Sequence, residues 1–180
     1  TAVGKSALGA NTTGEKNVAV GSLSVDANTT GTSLVGLGYQ ALSANTEGND
    51  NVAVGMQALL TNTTGDSNTA LGHKALTANT TADYNTAIGR FAMGANTTGT
   101  RNVGIAPFAL DANTTGDYNI GIGYGSLTTA TTASKNTAVG YQTLHLNTTA
   151  IDNVGVGYQA LYANTTGEKN VAVGANAADG

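Results

Sequence analysis

The chain of 180 residues contains no cysteine, no tryptophan and a single proline, Pro107. Without cysteine there is no disulfide and no thiolate metal site, so nothing staples the fold covalently. Only 10% of residues are charged and 5% aromatic, against a usual charged share of about 25%. The net charge is −4 and the pI about 4.8. Such a chain lacks the basic face that a nucleic-acid backbone requires. No apolar run approaches the roughly 18 residues needed to cross a bilayer as a helix, so this segment is not expected to insert in a membrane. Its hydrophobic share of 40% is largely alanine and overstates the core.

What the chain does contain is one sentence restated. Asn136-Thr137-Ala138-Val139-Gly140-Tyr141-Gln142-Thr143-Leu144 recurs as Asn153-Val154-Gly155-Val156-Gly157-Tyr158-Gln159-Ala160-Leu161. The step from Asn136 to Asn153 is the period. With this Asn as column 1, the column reads Asn17, Leu34, Asn51, Asn68, Asn85, Asn102, Asn119, Asn136, Asn153 and Asn170, with no insertion. About 10.6 copies of a 17-residue repeat fill residues 1–180, read as a single domain. The chain begins and stops in mid-repeat, as expected of a segment of a longer chain without its caps.

A strict period with Val, Ile and Thr beside Gly, and no helical spacing of apolar residues, predicts coils stacked in register: an all-β parallel β-solenoid, or β-roll. Each coil is expected to supply two short strands and two corners, and adjacent coils to lie about 4.8 Å apart, giving a rod roughly 50 Å long. Column 5, glycine except at Ala106, is expected to hold a positive φ or a close backbone approach, with Pro107 beside it at a corner. By the period-2 rule, columns 9 (mostly Leu), 11 (mostly Ala) and 13 (Thr throughout) should face inward, with columns 10 and 14 outward. Columns 2 and 4 are β-branched or aliphatic, while column 3 is only Ala or Gly. A solvent-facing column drifts and column 3 does not, so both faces of this strand are expected to be covered, one of them by another chain. The apolar burial of a lone coil barely offsets the entropy of ordering it, which also favours a rod packed against copies of itself.

Several motifs carry possible chemistry. Asn-Thr-Thr starts at Asn11, Asn28, Asn62, Asn79, Asn96, Asn113, Asn147 and Asn164. It reads first as a corner in which amides ladder and Thr caps the turn. In a eukaryotic secretory pathway each of these Asn would also be a glycosylation acceptor. Thr columns 13 and 14 invite comparison with ice-binding rods, but adjacent residues of a strand face opposite ways. Gly36-Leu37-Gly38-Tyr39-Gln40-Ala41 matches a dinucleotide-binding pattern without its βαβ setting. His73 and His145 occupy different columns and read as isolated surface residues. Acidic residues at columns 16 and 17 alternate with Lys, Arg, Ser and Thr, so no fixed calcium-binding column exists. Tyr39, Tyr124, Tyr141 and Tyr158 share column 6, and Tyr84 and Tyr118 share column 17; exposed, such columns are candidate surfaces for sugar rings. No nucleophile, base and acid occur as a set, no cofactor is implied, and an enzyme is the least expected class.

The Asn-Thr-Ala-Val-Gly-Tyr-Gln-Ala-Leu unit resembles the head repeats of trimeric autotransporter adhesins and related phage tail-fibre repeats, and the resemblance covers the whole chain. It implies a left-handed parallel β-roll assembled as a parallel homotrimer and exposed on a cell surface, outside the cell or on a virion. The function expected is a structural or adhesive fibre region that spaces or presents a receptor-binding element. The alternatives are a module binding host-surface glycan or matrix through its Tyr columns, and an ice-binding rod.

Overall fold

A computed structural model describes residues 1–179. It is a parallel β-solenoid with no helix among the described residues. One short strand appears in every coil: Ala2–Val3 (β1), Val18–Val20 (β2), and then one strand per repeat, always at columns 2 to 4, as far as Val171–Val173 (β11). The strands form one sheet in sequence order, each parallel to the next, with Val52 opposite Thr69 and Ala53 opposite Ala70, so the register equals the repeat. The expected second strand is absent. Columns 7, 9 and 17 instead adopt left-handed backbone with φ between 49° and 62°, as in Gln57 (59°), Leu59 (49°) and Ser67 (57°). A non-glycine residue costs about 1–2 kcal/mol there. Inter-coil hydrogen bonds hold the conformation: Gln57 N–H donates back to Tyr39 O at 2.9 Å, Leu59 N–H forward to Ala75 O at 3.0 Å, and Ser67 N–H back to Asn49 O at 2.9 Å.

This alternation overturns the period-2 reading beyond the strand. Column 9 faces inward as expected, and Leu42, Leu59, Leu76, Leu110, Leu127 and Leu144 are fully buried. Columns 8 and 12 join it inside, as Ala58 and Asn62 do, while Thr of column 13 and Ala of column 11 lie half-buried or exposed at the surface. The strand is inverted relative to expectation. The small column 3 faces the coil's own interior, with Ala19, Ala53, Ala70, Ala87 and Ala138 at zero exposure. It stays small because columns 8 and 9 press against it: a Cβ on Gly36 would meet Val25 Cγ2 at 2.5 Å, and one on Gly155 would meet Thr143 Cγ2 at 2.6 Å. The β-branched columns 2 and 4 are the ones that face out.

Two asparagine ladders close the corners. In column 12, Asn62 Nδ2 donates to Asn45 Oδ1 at 2.9 Å and to Gly65 O at 3.0 Å, and the pattern runs from Asn28 to Asn113. Column 1 ties the strand start to the next corner: Asn68 N–H donates to Asn51 Oδ1 at 2.9 Å, and Asn51 Nδ2 to Gly65 O at 2.6 Å. Most column 13 carbonyls collect several donors from the preceding coil. Thr46 O accepts the amides of Thr29, Thr30 and Gly31 and the Thr29 hydroxyl at 3.0 Å. That hydroxyl bond recurs in eight of the ten copies and calls for a hydroxyl side chain in column 13. At column 5 both expectations hold together: Gly72 has φ +140°, and a Cβ there would lie 2.6 Å from Gly89 O.

Candidate interaction surface

The outward side of the sheet is built from four columns in sequence, 17, 2, 4 and 6, with inward column 1, inward column 3 and the column 5 glycine between them. From β2 to β11, 17 of the 20 residues in columns 2 and 4 are Val, Ile or Leu, the others being Thr69, Thr86 and Thr137. Their side chains stand partly in solvent, for example Leu71 at 45% and Ile122 at 36% exposure. A folded chain normally shelters such residues, so an aliphatic stripe along the rod, unbroken in column 4, is the most distinctive feature of its surface.

Aromatic side chains border the stripe on both sides. On the column 6 side, Tyr124 stacks on Tyr141 at 5.5 Å and Tyr141 on Tyr158 at 5.3 Å, with interplanar angles of 12° and 6°. The structure extends this group into column 7, which the sequence reading missed: Phe108 meets Tyr124 edge-on at 5.8 Å, Phe91 stacks on Phe108 at 5.9 Å, and His73 meets Phe91 edge-on at 5.3 Å. Reading columns 6 and 7 as one strip would have found them. Tyr39 stands apart, with Ser22 and Met56 as its column neighbours. Arg90 lies 4.9 Å from the Phe91 ring centre. On the other side, Arg101 lies between Tyr84 and Tyr118 at 5.2 and 5.6 Å. Because stacked rings spend their faces on one another, the Tyr124–Tyr158 column offers ring edges and hydroxyls to its surroundings.

The histidines are not isolated. His145 stacks on Tyr162 at 5.1 Å and its Nδ1 lies 3.0 Å from Gly125 O. Among the described residues no group of three His, Asp or Glu is placed to hold a metal ion. Burial pushes the Asp111 carboxyl above its ordinary value of 3.8.

The glycosylation candidates need correction. Asn28, Asn62, Asn79, Asn96, Asn113 and Asn147 are fully buried, and their Nδ2 groups bond inside the corner, as in Asn79 Nδ2 to Ala82 O at 3.1 Å. A glycan on any of them is incompatible with this fold. Asn11 and Asn164 are half-buried and also bond through Nδ2, to Gly14 O and Gly167 O. The triplet is a corner. No known protein family, curated protein or solved structure matches the chain.

Proposed function

We propose that this chain is a rod segment of an extracellular, cell-surface or virion fibre, in which the aliphatic stripe of columns 2 and 4 packs against parallel copies of itself, most simply as a homotrimer. The rod then spaces or presents a receptor-binding element and has no catalytic role. The single observation that carries this reading is the outward turn of the β-branched columns in every coil from β2 to β11. Covering a partly exposed aliphatic side chain returns roughly 0.5–1 kcal/mol, so 17 of them return on the order of 10–15 kcal/mol per copy. That is comparable with the roughly 4–15 kcal/mol lost on association. The test is multi-angle light scattering on the purified segment. Three chains per particle are expected, and a stable monomer at micromolar concentration would refute the assembly. Ile88→Lys and Ile105→Lys should each dissociate the particle, since each puts a charge into the stripe.

A second reading rests on the stacked tyrosines. Their exposed edges and hydroxyls suit hydrogen bonding to surface glycans or matrix. A glycan array with no hits, or binding left unchanged by Tyr141→Ala and Tyr158→Ala, would dismiss it. The Thr columns favour an ice-binding rod less, because the column 13 hydroxyls are spent on next-coil carbonyls; an absence of thermal hysteresis is expected.

A further inference from the structure

We infer that the copies meet coil on coil with no offset, the column 17 rim of one copy lying along the column 6 rim of the next. The inference rests on the self-association proposed above and assigns its seam. When copies running the same way bury the same face around a common axis, one edge of a sheet meets the opposite edge of its neighbour, a heterologous contact. The two edges here are columns 17 and 6. Within one chain they flank the strand and cannot touch: from Tyr118 to Tyr124 the backbone is largely extended and spans roughly 15 Å or more.

Matched coil by coil, three of the ten levels along the rims pair an aromatic residue with another aromatic or a cation. Tyr84 falls level with Arg90, Tyr118 with Tyr124, and Lys135 with Tyr141, and no pair of like charges arises at any level. Each pair sets a tyrosine edge or hydroxyl beside another aromatic side chain or a cation, and tyrosine and arginine are enriched at interfaces. All six are exposed in the isolated chain. Sliding one copy back by a coil places Lys16 against Lys5 and Arg101 against Arg90, two like-charge contacts. Sliding it forward by a coil avoids that clash, but an equal shift at every seam never closes into a ring and generates an open helix instead. A closed assembly therefore has the zero-offset seam.

The chain's lack of cysteine gives a clean test. In the variant Tyr118→Cys/Tyr124→Cys, mild oxidation should link the subunits into a covalent ring with as many chains as light scattering counts. Each single variant and the offset pair Tyr118→Cys/Tyr141→Cys should give no such ring. The pair Lys135→Cys/Tyr141→Cys reads the same seam one coil along, should the first variant misfold. An oligomer that fails to crosslink through either seam pair, or that crosslinks through the offset pair, overturns the seam and leaves the proposed assembly standing. A monomer overturns both.

Discussion

Replacing Gly155 with alanine puts a methyl group 2.6 Å from Thr143 Cγ2, in the coil below. Thr143 is fully buried and cannot turn away at no cost, because its hydroxyl donates to Gly157 O at 2.6 Å. Other neighbours of the new methyl are at ordinary contact, Ala160 O at 3.4 Å and Leu144 Cγ at 3.6 Å. Overpacking of this kind costs about 1–3 kcal/mol, more than the roughly 0.5–1 kcal/mol that alanine gains over glycine in a strand. The single variant should therefore lose about 1–2 kcal/mol. Thr143→Ala alone should lose a similar amount, from one hydrogen bond at about 1 kcal/mol and a small void facing Gly155. Together the two recreate the Ala–Ala pair already present between Ala41 and Ala53 and between Ala75 and Ala87. The double variant should return close to the parent, a coupling of about 2–3 kcal/mol, at the upper end for residues in contact. Guanidinium unfolding followed by circular dichroism measures it, at one fixed protein concentration because self-association shifts apparent stability. Losses that simply add, within about 0.5 kcal/mol, would refute the claim that column 3 is small because of its own coil.

Three further variants follow, two of them at places where the repeat lapses. Ala130 interrupts the column 12 ladder and leaves the buried Asn113 Oδ1 without a partner. Ala130→Asn should supply that donor, bond Ala133 O and accept from Asn147, raising stability by about 2–4 kcal/mol and the melting temperature by roughly 5–10 °C; an unchanged or lower midpoint would discredit the ladder. Ala106 holds φ 109° where its glycine column takes 126° to 140°, so Ala106→Gly should gain about 1 kcal/mol or more in thermal unfolding. Burial raises the Asp111 proton affinity above its unfolded value of 3.8, so the folded state binds that proton more tightly. Stability from this group is present below 3.8 and is lost as pH rises through the folded value. Asp111→Asn should therefore raise the unfolding midpoint at pH 7 relative to the parent and lose that advantage at pH 3, whereas an equal difference at both values would contradict the assignment.

Repetition and residue type alone dictate the period, the parallel in-register stacking, the absence of helix, the inward leucines of column 9 and the glycine corner at column 5. These features need no further information, because each residue's neighbour above and below is the same column of the next coil. The facing of most other columns is settled only by tertiary structure. Left-handed backbone at Gln57, Leu59 and Ser67 breaks the two-residue alternation, and nothing in these side chains announces a conformation that inter-coil hydrogen bonds impose. For the same reason Thr29, expected inside, lies half-buried at the surface, and the column 12 asparagines, which match a glycosylation pattern, are the buried spine of a corner. The strand's inversion has the largest consequence for function. By its lack of drift column 3 reads as the face that meets a partner, yet it is small because Val25, Met93 and Thr143 fill the coil beneath Gly36, Gly104 and Gly155. The face that awaits a partner is the aliphatic one, since so narrow a coil has room inside for its leucines, alanines and asparagines and none for a second row of β-branched side chains.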